Sequence, residues 1–370
     1  MTRKELNLRI FERTANAVLW QPRVHEAWIP HHRKCGTLPA RFKDLDDLSI
    51  YDALRCSVRY KASAGIDRYN DPNDICPERK PLDDTHYVDI VRIPEGELRT
   101  VHQTVRVDDK VTNDRIVEFP VKTPEALRVL TGLVRRQHFR ADVKKFKVAA
   151  DVVGHRAEPT VFLGSSGFTE LIKQHCGLLD TFYLLHDHQA AVEEYLRACD
   201  DRDDRLLVAA LQLPCRIFNL GDHATNEFTP PPILKKYLMP RWQKIGDLMR
   251  ANNRFVHSHW DGHSRLMLPY LQETRLQAVE ALTPEPMGDM TLEQIKEAVG
   301  DRMIVLDLIP AILFLPEYTM QEVLDFARRV MDMFAPRLIL GISDEISPRG
   351  QIEKIEAISD LVDKFCGLAD

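Results

Sequence analysis

The stretch that decides the fold spans residues 277–308: Gln277-Ala-Val-Glu-Ala-Leu282-Thr-Pro-Glu-Pro-Met-Gly-Asp-Met-Thr291-Leu-Glu-Gln-Ile-Lys-Glu-Ala-Val299-Gly300-Asp-Arg-Met303-Ile-Val-Leu-Asp-Leu308. A short apolar run is followed by a polar break and then by the amphipathic run Thr291–Val299. Thr291 is a candidate N-cap and Gly300 follows the last apolar residue, so this run predicts a helix. A second apolar run follows at once. The order strand, helix, strand predicts a βαβ unit with parallel strands.

The same pattern recurs along the chain from Thr160 onward. The predicted strands are Thr160–Gly164, Cys215–Gly221, Arg254–His259, Gln277–Leu282, Met303–Leu308 and Leu338–Ile342. The predicted helices are Phe168–His175, Pro232–Ala251, Ser264–Thr274, Thr291–Val299, Thr319–Phe334 and Gln351–Phe365. Repeated βα units predict a parallel sheet covered by helices, and two further units would close an α/β barrel of the (β/α)8 TIM type.

The N-terminal half supplies the remaining units less clearly. Its candidate elements are a strand at Val24–Ile29, a helix at Asp46–Tyr60, a strand at His86–Ile93, the two arms of a β-hairpin at Glu97–Val107 and Asp114–Val121, and a helix starting at Thr123. We expect a single TIM-barrel domain over residues 1–370, with the hairpin inserted at about residues 95–122. A two-domain protein with a doubly wound sheet is the competing fold, but no G-x-G-x-x-G follows any strand and no P-loop occurs.

Composition and charge exclude several classes of protein. The chain has 370 residues, of which 44% are hydrophobic and 29% charged, as in ordinary globular proteins. Its 50 Lys and Arg against 56 Asp and Glu give a formal charge of -6, so we expect no nucleic-acid partner. Neither a signal sequence nor a membrane helix of about 18 apolar residues is predicted. Seven cysteines without a C-x-x-C pair fit reduced thiols, so we expect a cytoplasmic protein.

Polar residues follow the predicted strands where each strand ends, which is where the active site of a TIM barrel lies. They are Asp222, His223 and Glu227; His257, His259, Asp261 and His263; Glu280; Asp307; and Asp344 and Glu345. His257 and His259 are two residues apart, so on a strand they point to the same side and could bind one metal ion together with a distant carboxylate. Alternatively, one imidazole bonds to neighbouring backbone and the other is exposed at the strand end.

Aromatic residues are expected near the same end of the barrel. They are Trp20, Trp28, Phe168, Phe228, Trp260 and Phe314. Such side chains predict a pocket for a flat, partly apolar ligand, with ordinary core packing as the alternative.

Three motifs resemble the uroporphyrinogen decarboxylase superfamily. They are His257-Ser-His-Trp-Asp-Gly-His-Ser-Arg-Leu-Met-Leu-Pro269, Glu227-Phe-Thr-Pro-Pro-Pro-Ile-Leu-Lys-Lys-Tyr-Leu-Met-Pro240 and Leu340-Gly-Ile-Ser-Asp-Glu-Ile-Ser-Pro348. The decarboxylases themselves carry an N-terminal arginine-rich motif that holds the carboxylates of the substrate. Here that region offers only Arg23 and Arg33-Lys34. The chain is therefore more similar to the cobalamin-dependent methyltransferase branch of the superfamily.

That resemblance implies an O-demethylase component, which moves a methyl group from a small donor, a methoxyaromatic ether, to the Co(I) corrinoid of a partner protein. Some members of this branch, which act on methanol, methylamine-derived methyl groups or thiols, bind zinc through a His-x-Cys pair and a distant Cys. The same positions here are His257-x-His259 and Asp344, a harder ligand set that suits an oxygen ligand. The resemblance thus implies zinc as a candidate metal on His257, His259 and Asp344 or Glu345.

The resemblance also implies roles for the other residues at the strand ends. Asp222, Glu227 and Asp261 would be catalytic, orienting the substrate or relaying a proton, and Trp28, Phe168, His223, Trp260 and Phe314 would bind the substrate. No D-x-H-x-x-G corrinoid signature occurs, so the corrinoid is expected on a separate protein. A related decarboxylase and a non-catalytic tetrapyrrole-binding or corrinoid-binding barrel are the alternatives. The oligomeric state is open, with a homodimer among the options.

Overall fold

The structure is a computed structural model that describes residues 1–60, 63–71, 74–107 and 110–367. Its strands are β1 (Leu19–Trp20), β2 (Ile66–Tyr69), β3 (Cys76–Pro81), β4 (His86–Ile93), β5 (Gly96–Val107), β6 (Lys110–Glu118), β7 (His138–Ala141), β8 (Thr160–Phe162), β9 (Ile217–Leu220), β10 (Phe255–His259), β11 (Ala278–Glu280), β12 (Ile304–Pro310) and β13 (Leu338–Ser343). Its α-helices are α1 (Arg3–Phe11), α2 (Trp28–Cys35), α3 (Asp47–Ala53), α4 (Pro124–Arg135), α5 (Val143–Val153), α6 (Gly167–Glu170), α7 (Leu178–Asp187), α8 (Gln189–Gln212), α9 (Pro231–Ile233), α10 (Met239–Ala251), α11 (Leu292–Val299), α12 (Met320–Phe334) and α13 (Ile352–Phe365). Further 3-10 and π turns lie at Ala40–Phe42, Gly154–Arg156, Leu171–Cys176, Leu234–Leu238, Arg265–Thr274 and Ala311–Phe314.

The chain divides into two compact units. The barrel unit consists of Met1–Gly65, Val143–Gly164 and Pro214–Asp370, and the second unit consists of Ile66–Asp142 and Ser165–Leu213. The single-domain organisation expected from the sequence stays a prediction. No helix among the described residues is both long and apolar enough to cross a membrane.

The barrel unit is built on a parallel sheet of seven strands in the order β1-β13-β12-β11-β10-β9-β8. The six strands predicted from Thr160 onward are all present in it, each followed by helical structure, and the α/β barrel of TIM type is confirmed. Thr291 caps α11 through a reciprocal pair of hydrogen bonds with Gln294, as its sequence predicts. The fold therefore brings the ends of β9 to β13 to one edge.

An irregular segment, residues 56–60, follows α3 and contacts β1 at one edge of the sheet. The Ser57 N–H donates to the Trp20 carbonyl at 2.8 Å, and the Phe162 N–H of β8 donates to Ser63 Oγ at 3.0 Å. The prediction of a helix as far as residue 60 is wrong, because α3 ends at Ala53 and Arg55 takes a left-handed conformation with φ +55°. The chain then turns to run beside β1.

Two predicted strands of the N-terminal half differ from the structure. Residues 24–29 are not a strand: they form a turn that leads into α2, and Val24, Trp28 and Ile29 are buried at helix-like spacing. Residues 86–93 do form a strand, β4, but it pairs antiparallel with β5 outside the barrel sheet. The two-residue connection Pro94-Glu95 leaves no room for the crossover that a parallel strand needs.

The amino end of the barrel is closed by α1. Ile10 and Phe11 of this helix are buried in one apolar cluster with residues of the barrel strands. The strand residues of the cluster come from β1, β9, β11, β12 and β13, and they are Leu19, Ile217, Ala278, Ile304, Leu306 and Ile339. The Phe11 ring lies 5.4 Å from that of Phe255. Since this end is filled by apolar side chains, the polar chemistry of the barrel lies towards the carboxyl ends of the strands.

The second unit contains an antiparallel sheet in the order β3-β4-β5-β6, a two-stranded β2-β7 pair, and helices α4 and α6–α8. The predicted hairpin is confirmed as β5 and β6, although Asp108 and Asp109 of its turn lie outside the described residues. The predicted helix start is also confirmed, since Thr123 caps α4. Leu127, Leu130 and Val134 of α4 belong to an apolar core shared with α7 and α8.

Candidate active site

The centre of the polar end of the barrel is the carboxylate of Glu280, the last residue of β11. It is fully buried and lies 2.9 Å from His257 Nδ1, 2.8 Å from Asn219 Nδ2 and 3.1 Å from Arg59 Nη1, and the Tyr60 hydroxyl donates to it. Burial alone would raise its pKa, but the Arg59 charge and the histidine hydrogen bonds outweigh burial and hold the pKa of Glu280 well below its usual range. Glu280 is therefore a buried anion.

Arg59 joins this carboxylate to a second one. Its guanidinium donates two hydrogen bonds to Asp307 of β12, at 3.0 and 2.9 Å, and a third to Gln21 Oε1 at 2.8 Å. Asp307 and Leu308 both have φ near +80°, a region that side chains other than glycine rarely adopt. A Cβ on the neighbouring Gly341 would collide with Asp307 Oδ1, so glycine is required beside this carboxylate.

Beside Glu280, three side chains from two strand ends form a group that could hold a metal ion. His223, His259 and Asp261 each offer one ligand atom, and these atoms all lie within 4.8 Å of one another. His223 Nδ1 is 2.9 Å from Asp261 Oδ1, and His259 Nε2 is 3.8 Å from the same oxygen. The His259 side chain is 8% exposed, whereas those of His223 and Asp261 are about a third exposed. The group is thus closed on the barrel side and open on the other.

Charge at this group is set by the carboxylates around His259. Its Nδ1 lies 3.4 Å from Glu280, while its buried Nε2 has no hydrogen-bond partner among the described residues. Burial would lower the pKa of His259, but Asp261 and Glu280 raise it to about 9. The two neighbouring carboxylates therefore favour positive charge at this position.

A divalent cation suits the same place. Two imidazole nitrogens and a carboxylate oxygen form a donor set typical of zinc sites that keep a position open. Glu280 on Nδ1 of His259 is the partner that commonly orients a histidine ligand and fixes its tautomer. The unpartnered Nε2 of His259 points to an unmet polar interaction. The residues present therefore fit a zinc ion held by His223, His259 and Asp261.

The four residues predicted as metal ligands lie in different environments. His259 belongs to the group just described, and Asp344 Oδ1 lies 3.9 Å from its Nε2 while also contacting Arg23. His257 Nδ1 instead faces Glu280 and Asn219 inside the barrel. Glu345 lies against Glu26, and burial together with the Glu26 charge raises the pKa of Glu345 to about 7. The structure brings His259 and Asp344 together, whereas His257 contacts Glu280 and Asn219.

Of the three residues predicted as catalytic, Asp261 belongs to the metal-capable group, whereas Asp222 and Glu227 contact other residues. Asp222 is fully buried and accepts hydrogen bonds from Trp242 Nε1 at 2.7 Å and from Arg241 Nη1 at 3.4 Å, both on α10. Glu227 is half exposed and pairs with His263 at 3.1 Å. Asp222 thus anchors a helix to the end of β9, and Glu227 lies at the surface.

The aromatic residues predicted to bind substrate are buried. Trp28 donates its indole N–H to the Gly350 carbonyl at 2.9 Å, Trp260 packs 5.4 Å from Trp242, and Phe314 is fully buried. Phe168 is buried in the second unit. Among the five residues predicted to bind substrate, His223 belongs to the metal-capable group.

Sequence reasoning missed Arg59 and Tyr60 and gave no role to Glu280. Arg59 and Tyr60 follow α3 on the irregular segment, so no strand end drew attention to them. One signal was available in the sequence. Arg59-Tyr60, a cation beside an aromatic residue, follows the apolar stretch Cys56-Ser-Val, as polar residues follow a barrel strand. Arg23 was weighed only against the arginine-rich motif, yet it contacts Asp344 and lies 3.9 Å from Glu280.

Comparisons with known proteins extend the description of the fold. No known family model matches the chain, and no curated protein is similar to it in sequence. The solved structure of a methyltransferase from Methanosarcina mazei is similar to it with a TM-score of 0.60 at 11% identity, covering 99% of each chain. A B12-independent methionine synthase from Shewanella sp. W3-18-1, solved in complex with selenomethionine, gives a TM-score of 0.40 at 11% identity, covering 95% of this chain and 97% of that one. The chain has the fold of the first of these proteins along nearly its whole length.

Proposed function

We propose that this protein is a methyltransferase that takes a methyl group from a small oxygen-bound donor, a methoxyaromatic ether, and passes it to the Co(I) corrinoid of a partner protein. The observation that carries the proposal is the group His223, His259 and Asp261 at the carboxyl edge of the barrel, which offers nitrogen and oxygen ligands but no thiolate. Fold similarity to a methyltransferase over 99% of both chains supports the class of reaction.

The reaction sets a clear demand on the protein. The bond between the methyl carbon and the ether oxygen breaks with its electron pair left on oxygen, while the methyl group forms a bond to cobalt. A zinc ion, when bound, supplies Lewis-acid stabilisation of the oxygen anion that leaves. A hard donor set of imidazole and carboxylate favours an oxygen ligand over a thiol. This preference argues for an ether rather than a thiol partner.

The chain's own residues prepare the site for that demand. Glu280 fixes the ring of His259 through Nδ1, and Arg59 keeps Glu280 charged within the barrel. His223 and Asp261 face the open side, where a donor molecule of modest size can approach. Asp222 holds α10 against the end of β9, next to His223, which keeps this edge rigid.

Metal analysis tests the site. We expect about one zinc per chain in the purified protein, and a loss of roughly 10- to 100-fold in zinc affinity in His259→Ala and Asp261→Asn. His263→Ala is the matched control, since His263 lies on the same loop, is exposed and pairs with Glu227. A protein without stoichiometric metal, or a control that loses as much metal as His259→Ala, contradicts the metal assignment.

Methyl transfer is tested separately. The protein is mixed with chemically reduced cobalamin and a panel of methoxyaromatic compounds, and methylcobalamin is followed by its absorbance. We expect formation with at least one ether in the wild-type and in His263→Ala, and loss in His259→Ala. Zinc without any methyl transfer would leave the metal site standing and overturn the proposed activity.

A further inference from the structure

The opposite end of the barrel unit holds a cavity that the proposed function does not use. It has a volume of about 880 Å³, and it is lined by the end of α1 and by the residues that directly precede β9, β10, β11 and β12. This volume lies within the range of sites for small molecules, roughly 300–1,000 Å³. The cavity lies at the amino ends of the strands, away from His223, His259 and Asp261.

The lining is strongly basic. It contains six arginines, Arg13, Arg216, Arg250, Arg254, Arg275 and Arg302, against two acids, Glu12 and Asp247. Six positive and two negative side chains leave four positive charges here, on a chain whose formal charge is -6. Charge of this sign gathered in a concave surface attracts anions.

Half of the arginines are paired with acids of the lining. Asp247 lies 3.2 Å from Arg250 Nη1 and also accepts from Arg275, and Glu12 lies 3.0 Å from Arg216 Nη2. The two acids thus form ion pairs with three guanidiniums and orient them at the rim of the cavity. They do not cancel the charge of the lining.

Two of the other guanidiniums, those of Arg13 and Arg302, have no acidic partner among the described residues. Arg13 donates to the Arg302 carbonyl, a contact that orients its side chain without neutralising it. Within the described part of the chain, the Arg302 guanidinium has no hydrogen-bonding or ionic partner. Such groups in a cavity with an excess of positive charge suit a polyphosphate, whose oxygens accept paired hydrogen bonds from arginine.

The cavity also has an aromatic and apolar floor. The rings of Phe11 and Phe255 lie 5.4 Å apart, and Leu276 and Met303 lie beside them in the lining. A planar group, the Arg216 guanidinium, lies 5.5 Å from the centre of the Phe255 ring, a distance at which a cation and an aromatic ring attract each other. A simple inorganic anion would leave this floor unused.

We propose that the cavity binds a small polyanion of the nucleotide class, with its phosphates on Arg13 and Arg302 and its planar base beside Phe255. The proposal does not depend on methyl transfer, because none of these residues takes part in the site at the carboxyl end of the barrel. Occupancy is expected to fall as salt rises, since the attraction is electrostatic and partly exposed.

Calorimetric titration of the full chain with ATP and, separately, with inorganic triphosphate tests the proposal. We expect ATP to bind more tightly than triphosphate, and the double variant Arg13→Gln/Arg302→Gln to weaken ATP binding at least tenfold. Arg329→Gln is the matched control, because Arg329 is an exposed arginine on α12 that pairs with Glu293. Phe255→Leu is expected to weaken ATP binding while leaving triphosphate binding unchanged.

Each result bears on the proposal. No heat of binding for either probe, or equal ATP affinity in the wild-type and the double variant, overturns it. Equal affinity for ATP and triphosphate would show that the base contributes nothing to binding, and it would overturn the assignment of a nucleotide. Thermal unfolding and zinc content are measured on every variant, so that loss of fold is separated from loss of the site.

Discussion

At the scale of single residues, Arg59 is a buried cation that pairs with two buried carboxylates of the barrel. It is 2% exposed and faces both Asp307 and Glu280, which are fully buried. Removing one partner of a buried ion pair strands the other charge in a medium that solvates it poorly. We expect Arg59→Met to lower the free energy of unfolding by about 3–5 kcal/mol, as measured by urea denaturation followed by tryptophan fluorescence.

A matched surface variant separates this effect from the loss of any arginine. Arg329→Met removes an exposed pair with Glu293, and we expect a change of at most about 1 kcal/mol. Arg59→Lys keeps the charge but loses the paired hydrogen bonds to Asp307, so we expect an intermediate loss. Equal effects of Arg59→Met and Arg329→Met would show that the buried network does not stabilise the barrel.

The same residues show what sequence alone could predict about the site. Strand periodicity placed His259, Glu280 and Asp307 at one edge, because the carboxyl ends of parallel strands meet there. It could not assign partners, since Arg59 lies 248 positions from Asp307 in the chain. Nor could it tell that His259, and not His257, lies beside His223 and Asp261, because both histidines are on one strand and both contact Glu280.

At the scale of elements, local signals determined the accuracy of the predictions. The predicted helix Thr319–Phe334 is observed at Met320–Phe334, where Thr319 and Glu322 form a reciprocal cap. No such signal marks residues 24–29 or the end of α3, and there the predictions are wrong. Helices with caps and amphipathic periodicity are specified by a few neighbouring residues, whereas strand pairing depends on distant ones.

The cap of α12 offers a direct test. Thr319→Ala removes the side-chain acceptor for the Glu322 N–H, and we expect a loss of about 1 kcal/mol in the free energy of unfolding. Thr319→Ser keeps the hydroxyl and should behave like the wild-type protein. Urea denaturation measures both variants, and equal stability of the alanine and serine variants would mean that the cap contributes nothing.

At the scale of the whole molecule, the chain leaves the barrel twice to build the second unit. Residues 66–142 and 165–213 contribute to it, with barrel residues 143–164 between them. The sequence predicted the hairpin as an insertion, but it could not predict that α7 and α8 share a core with α4. That association joins residues far apart in the chain, such as Leu130 and Tyr195, and leaves no local pattern.

The two units are expected to respond differently to acid, because the partly buried His175 belongs to the second unit. Burial, reinforced by Arg202 and Arg68, lowers the pKa of His175 to about 4. The unfolded chain takes up this proton near the ordinary pKa of about 6.5, well above the pKa in the folded protein. The stability that neutral His175 gives the folded state is therefore fully present above about pH 6.5 and is lost as the pH falls towards 4. At pH 5 we expect the free energy of unfolding to be about 1–2 kcal/mol lower than at pH 7 because of this residue.

Spectroscopy can assign that loss to one unit. All four tryptophans, Trp20, Trp28, Trp242 and Trp260, belong to the barrel unit, so fluorescence follows its unfolding while circular dichroism follows both units. We expect the dichroism transition in urea to move further towards low denaturant between pH 7 and pH 5 than the fluorescence transition does. In His175→Gln this extra shift should vanish, since the titrating group is gone. An equal extra shift in the variant would place the acid sensitivity on other groups.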